Sequence, residues 1–194
     1  MRRSSPLLTQ LCFFSVVICC LLFLVAIINL SFLRDAMLAE RKSRLINIVE
    51  KTETIFQTYD EYYRTGKLTL AQAQSQALSS INSLDDNYIF VFNDDYTLLA
   101  SREDNSAINK NVRYYKDILG AYIYQDVRNE ILLNPEGKFF SYYFPAEEGG
   151  KALRKISYSK YFAPWGWTYG LGIYLDDIDD AISTTLISFD ELVI

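Results

Sequence analysis

Residues 155–178 read KISYSKYFAPWGWTYGLGIYLDDI, and this stretch decides the fold. Apolar Ile156, Tyr158 and Phe162 are interrupted by polar Ser157, Ser159 and Lys160, the texture of a half-buried strand. Ala163 and Pro164 break it, because proline has no amide hydrogen to give to a ladder. Trp165 and Trp167 open a second aromatic strand, in which Gly170 and Gly172 remove side chains at alternate positions and permit a close approach on one face. Asp176 and Asp177 then cap a helix start at Ile178 and Ile182. Two strands about a tight turn and a helix start is therefore the expected ending.

Working outward, residues 88–92 form an apolar strand, Asn93, Asp94 and Asp95 a turn, and residues 96–100 its hairpin partner. Residues 114–133 can form a helix with Ile118, Leu119, Tyr122, Ile123 and Val127 inward, stopped by Asn134 and Pro135. Residues 139–144 make a further strand, and the turn at 147–151 leads into the final hairpin. Upstream, Thr69 and Gln72 form a capping-box pattern before Leu70, Ala73, Ala77, Ile81 and Leu84, which predicts a short helix. Before it, Met37 or Leu38, Leu45, Ile48 or Val49, Ile55 or Phe56, Tyr59 and Tyr62 or Tyr63 recur at helical spacing, with Gly66 as the stop. That stripe can pack on its own domain or on a second copy.

The order of elements predicts an α+β fold: an antiparallel five-stranded sheet of PAS-like type, with helices segregated on one face, behind a long N-terminal helix. One transmembrane helix precedes it. Residues 7–33 carry no charge and at roughly 1.5 Å per residue span about 40 Å, more than a hydrocarbon core of about 30 Å. The run is too long for a signal-peptide core and has no small-residue cleavage site after it, so it reads as a retained anchor. Basic residues lie on both sides of it, and charge alone does not orient it.

All three cysteines fall inside the anchor and the chain has no histidine, so histidine-based triads and histidine-ligated zinc are excluded. Beyond the anchor, 17 Lys and Arg face 24 Asp and Glu, which speaks against nucleic acid as a partner. The carboxylate pairs Asp85–Asp86, Asp94–Asp95, Asp176–Asp177 and Asp179–Asp180 sit at element ends, where capping accounts for them. No catalytic constellation emerges and no cofactor is implied, so the reading is not an enzyme. Fifteen tyrosines and twelve phenylalanines instead suit a pocket with apolar walls and hydrogen-bonding tips.

The final hairpin resembles that of the bacterial single Cache (sCache, Cache type 2) sensor domains of methyl-accepting chemotaxis receptors and related membrane sensors. There a strand with Lys and Tyr leads to a Trp-x-Trp turn, a Gly-x-Gly-x-Tyr strand and an acidic pair. The resemblance implies a cytoplasmic tail at 1–6, a transmembrane helix at 7–33, and the long helix of the sensor at 34–66. The ligand-binding domain is then 67–182 and a C-terminal helix end 183–194. It also implies a pocket between the sheet's concave face and its covering helix and loop, holding a small organic ligand such as a short carboxylic acid. Lys155 occupies the basic strand position in a KxxY pattern with Tyr158, and Tyr142 and Tyr143 lie on the preceding strand. Arg113 and Arg102 flank the loop to the covering helix, and Phe90 completes the set of ligand-binding candidates. Where relatives often have His-Pro after the second strand, this chain has Ala100 and Ser101, which leaves the ligand class open.

On this reading the protein is a single-pass sensor of a bacterial inner membrane, with its domain periplasmic or extracellular, serving transmembrane signalling or chemotaxis. A homodimer through the long helix is a further expectation. The 14 residues after Asp180 are too short and too charged for a second span, so the output module is expected to be missing by truncation or supplied by a partner. The alternative is a pilin-like or other one-span assembly protein without a small ligand.

Overall fold

The computed structural model describes residues 6–83, 89–102, 105–145 and 151–176. Their elements are α1 (Pro6–Arg64), α2 (Leu70–Asn82), β1 (Ile89–Asn93), β2 (Leu98–Ala100), α3 (Ile123–Leu133), β3 (Lys138–Pro145), β4 (Ala152–Phe162) and β5 (Trp167–Tyr174). The described residues fall into two compact units, one up to Glu40 and one from Arg41 onward. In the first, α1 exposes Leu11, Phe14, Leu22, Ile28 and Phe32, and among the described residues it is the one helix long and apolar enough to cross a membrane.

The second unit holds a five-stranded antiparallel sheet in the order β2-β1-β5-β4-β3, the α+β, PAS-like architecture expected. The N-terminal cap of α2 forms as read: the Thr69 hydroxyl accepts from the Gln72 amide and the Gln72 side chain accepts from the Thr69 amide. Gly66, at φ +74°, takes the left-handed conformation just past the end of α1. The expected helix beginning at Ile178 lies outside the described residues.

Two expectations need correction. The helices are not confined to one face of the sheet, because side chains alternate along each strand and both faces present apolar surface. Trp167 and Tyr169 of β5 pack on Phe56 of α1, whereas Phe92 of β1 meets Tyr124 of α3 and Thr168 meets Arg128 of α3. The helix expected over 114–133 starts only at Ile123. Asp117 folds its neighbours into a turn by accepting from the amides of Leu119 and Ala121, and Gly120 adopts φ +86°, which a helix cannot accommodate. Ile118 and Leu119, expected inward, are exposed.

The middle of the apolar stripe of α1 packs within the second unit, while Tyr62 and Tyr63 at its end are exposed. Leu45, Ile48, Val49, Thr52 and Phe56 are buried, while Asn47, Glu50, Lys51, Thr54, Thr58 and Glu61 face outward. Phe56 is the hub, with ring centroids 5.6 Å from Phe162, 5.9 Å from Trp165, 5.3 Å from Trp167 and 5.1 Å from Tyr169. The Trp165 indole donates to Asp60 Oδ1 at 2.9 Å, and Arg64 pairs with Oδ2 at 2.6 Å, so this buried carboxylate is satisfied. Trp165 belongs to a 3-10 turn rather than to the strand it was read as opening, and Gly166, at φ +63°, closes that turn.

Candidate functional site

The register of the last three strands builds the site. Tyr142 of β3, Lys155 of β4 and Tyr174 of β5 lie side by side, so all three project from the face that α3 covers. Along β4, Lys155, Ser157 and Ser159 follow one another on that face, opposite Tyr174, Gly172 and Gly170 of β5. The glycines are there for clearance. A Cβ on Gly172 would stand 2.2 Å from Lys155 Cε, and one on Gly170 would stand 2.5 Å from Ser159 Oγ and 2.8 Å from Phe90 Cζ. The close approach expected from the Gly-x-Gly spacing is therefore made by the stem of Lys155 and the ring of Phe90.

Lys155 is 1% exposed, an extreme for a residue type that is almost never fully buried. Its Nζ lies 5.3 Å from the centre of the Phe144 ring and 5.1 Å from that of Tyr174, so two aromatic faces attend the cation. The Tyr174 hydroxyl donates to the Pro145 carbonyl, which fixes the ring beside it. Between this group and α3 lies a cavity of about 20 Å³ lined by Phe90, Ser101, Ile123, Tyr124, Val127, Tyr142 and Phe144. That is room for about one water molecule, so a larger solute enters only if the walls move. The Ser157 and Ser159 hydroxyls on the same face are buried and meet no hydrogen-bond partner among the described residues, an arrangement that costs stability wherever no solute or water completes it.

The candidate residues divide between the two faces. Tyr142 and Phe90 line the cavity, and Lys155, outside the lining itself, pairs with Tyr142 across the strands and sets its Nζ over the lining residue Phe144. Tyr158 does not join them: three positions from Lys155 along a strand, it points to the opposite face, where its ring lies 4.8 Å from Phe139 and its hydroxyl donates to the Glu136 carbonyl. Burial raises its ionisation above the usual tyrosine value, Lys160 opposing and Glu50 and Glu53 adding to the rise. Tyr143 alternates with Tyr142 and likewise faces away. Arg102 is exposed, and the exposed Arg113 lays its guanidinium over Tyr96 and Tyr114 rather than the cavity. Sequence reading missed Ser101 and Tyr124 as lining residues. The resemblance marks Ser101 only as a departure from His-Pro, and Tyr124 lies between Ile123 and Val127, both read as inward, without being read so itself.

A larger open groove of about 500 Å³ runs between α1 and the β4–β5 turn, lined by Glu53, Gln57, Asp60, Glu61, Arg64 and residues 161–164. Of its three carboxylates, Asp60 is paired with Arg64 and Glu53 with Lys160, so both cations are engaged and Glu61 leaves the groove net negative, which disfavours an anionic solute. Its size does not make it the better site for an acid.

A family model, the single Cache domain 2, matches residues 37–188. A methyl-accepting chemotaxis protein of Pseudomonas putida, McpP, is 21% identical over 179 residues, which cover 91% of this chain but 33% of that protein. The chain thus spans about a third of that relative's length. Among solved structures, the periplasmic sensor domain of a chemotaxis protein superposes with a TM-score of 0.67 at 22% identity, covering 72% of this chain and 98% of the other. A Cache chemosensory domain described for carboxylic acid recognition gives 0.65 at 21% identity, covering 73% and 97%. A methyl-accepting chemotaxis protein of Vibrio parahaemolyticus gives 0.60 at 22%, covering 77% and 99%. The buried lysine, the glycine-cleared strand and the helix-covered sheet thus sit in a chain that belongs to the single Cache domain 2 family of sensor domains.

Proposed function

We propose that this protein is a membrane-anchored extracytoplasmic sensor that binds a short carboxylic acid on the α3 face of its sheet, for chemotaxis or related transmembrane signalling. Residues 7–33 anchor it in a bacterial inner membrane as a single span, with the N-terminus in the cytoplasm. The carboxylate engages Lys155, the Tyr142 and Tyr124 hydroxyls offer further hydrogen bonds, and Phe90 and Phe144 enclose the carbon chain. Binding moves β5 against α1, and the output lies in a module or partner beyond this chain. The observation that carries the reading is Lys155 itself, a buried cation between aromatic rings beside a small cavity. The kinship to chemotaxis proteins and to a Cache domain described for carboxylic acids supports it, and membership in a sensor family weighs against a pilin-like role.

Size bounds the affinity. A three- or four-carbon acid has about six heavy atoms, and a ceiling of roughly −1.5 kcal/mol for each allows about micromolar binding at best. A thermal-shift screen of the protein against short acids, amino acids and amines tests the proposal. At 100 times Kd a selective ligand adds about 2.7 kcal/mol, or roughly 5–10 °C in Tm for a domain of this size. Lys155→Met, which keeps the apolar stem, is expected to fold and to lose the acid response. A full response in that variant removes Lys155 from the site, and a flat screen for every acid rejects the ligand class.

A further inference from the structure

The turn between Tyr114 and Tyr122 carries an apolar tip that the cavity does not use. Its base is fixed to the domain: Tyr115 stacks on Phe144 at 5.6 Å and meets Tyr124 edge-on at 6.0 Å. Its backbone is closed on itself. Asp117 Oδ1 accepts from the Leu119 and Ala121 amides at 2.9 Å, the Asp117 amide donates to the Ala121 carbonyl at 3.0 Å, and Lys116 bridges Tyr122. Yet Tyr114, Ile118 and Leu119 are 71%, 67% and 73% exposed. Single exposed apolar residues are ordinary, but a cluster held out on a self-bonded turn marks a contact surface.

The geometry points to this turn as a lipid contact, in which Ile118 and Leu119 enter the headgroup boundary of an anionic bilayer. Three observations favour a bilayer. With the Asp117, Leu119, Gly120 and Ala121 amides bonded within the turn, its backbone leaves water at a lower cost than an open loop. Tyr114 and Tyr122 flank the aliphatic pair, and Arg113 and Lys116 lay their cations over Tyr114 and Tyr122 respectively, the aromatic and basic combination that suits an interface. Finally, residues 105–122 hold Lys110, Arg113 and Lys116 against a single carboxylate, Asp117, already engaged by two amides, in an extramembrane portion otherwise rich in acid. That local excess matches anionic headgroups. The inference rests on the reading of residues 7–33 as an anchor, which holds the domain at a bilayer.

The test uses the full chain in vesicles. With the native cysteines replaced, Leu119→Cys carries an environment-sensitive fluorophore, and Lys67→Cys, exposed in the α1–α2 turn, serves as the control. In vesicles containing phosphatidylglycerol, the label at 119 should shift to the blue, and lipids brominated on the acyl chain should quench it at least about twofold more than the control. Arg113→Glu with Lys116→Glu should return it to the control level. Equal behaviour of the two labels in every lipid overturns the proposal. So does shielding at 119 that appears in detergent and grows with protein concentration, which assigns the turn to a second copy. A separate protein labelled only at Cys19 must be strongly quenched in the same vesicles, and failure there overturns the anchor reading itself.

Discussion

The two faces of the sheet are built from the same strands and differ most where β4 meets β5. On the α1 face, β5 presents Trp167, Tyr169 and Leu171, all at most 3% exposed, and Phe56 inserts among the aromatic rings. On the α3 face the alternate positions of β5 are Thr168, Gly170, Gly172 and Tyr174, and β4 adds Lys155, Ser157 and Ser159. Both faces carry large rings, Phe56, Trp167 and Tyr169 on the first and Phe90, Phe92, Tyr124 and Phe144 on the second. At β4 and β5 the second gives up side-chain volume at two glycines and buries the Ser157 and Ser159 hydroxyls, which meet no hydrogen-bond partner among the described residues, a cost that packing alone does not explain. On the function proposed above, the first face is structural and the second is the recognition face.

Four substitutions can break that division. Phe56→Ala removes the hub of the structural face and should lower stability by about 3–5 kcal/mol in chemical denaturation. A loss below about 1 kcal/mol would mean that α1 does not hold the sheet as described. Gly170→Ala should cost about 1–3 kcal/mol, because the new Cβ stands 2.6 Å from the Tyr158 carbonyl as well as close to Phe90, and backbone cannot step aside. The three atoms nearest a Cβ in Gly172→Ala all belong to the flexible Lys155 side chain, so its stability loss should be the smaller of the two. Its main effect, read by titration calorimetry, should be at least about a tenfold loss of acid affinity, or 1.4 kcal/mol. Equal affinity in Gly172→Ala and the parent would place the acid elsewhere.

The smallest effect concerns the one flaw on the packed face. The Tyr169 hydroxyl is buried and forms no hydrogen bond of good geometry among the described residues. Burial, with the Glu53 carboxylate next in importance, pushes its ionisation well above the usual tyrosine value. The unfolded chain ionises this phenol near pH 10 while the folded protein keeps its proton. Its contribution is therefore fully present below about pH 10 and is lost as pH rises from there toward the folded value. Tyr169→Phe should leave neutral-pH stability unchanged or raised by up to about 1 kcal/mol and flatten the alkaline decline. A clear loss at pH 7 would show that the hydroxyl is satisfied after all.

The α+β order, the cap of α2, the end of α1 and the glycine clearance were legible because each is a local signal: a capping box, a stop glycine, a period of two. The period of two also carried information that the KxxY reading overlooked, since an interval of three along a strand separates Lys155 from Tyr158 by the thickness of the sheet. Residues 114–122 were misread as helix because Ile118, Tyr122 and Ile123 have helical spacing, and the Asp117 turn that overrides it depends on one side chain reaching two amides. The second helical face was hidden for a different reason. Trp167 and Gly170 read simply as an aromatic strand with gaps, and only the pairing with β1 and β4 shows which face each completes.

A crystal structure of the protein with the acid that gives the largest thermal shift tests the central claim most directly. The account predicts electron density on the α3 face, with the carboxylate within about 3 Å of Lys155 Nζ and the walls at Tyr124 and Tyr142 displaced to admit it. An acid bound instead in the groove beside Glu53 and Asp60, with the α3 face unchanged, would contradict it.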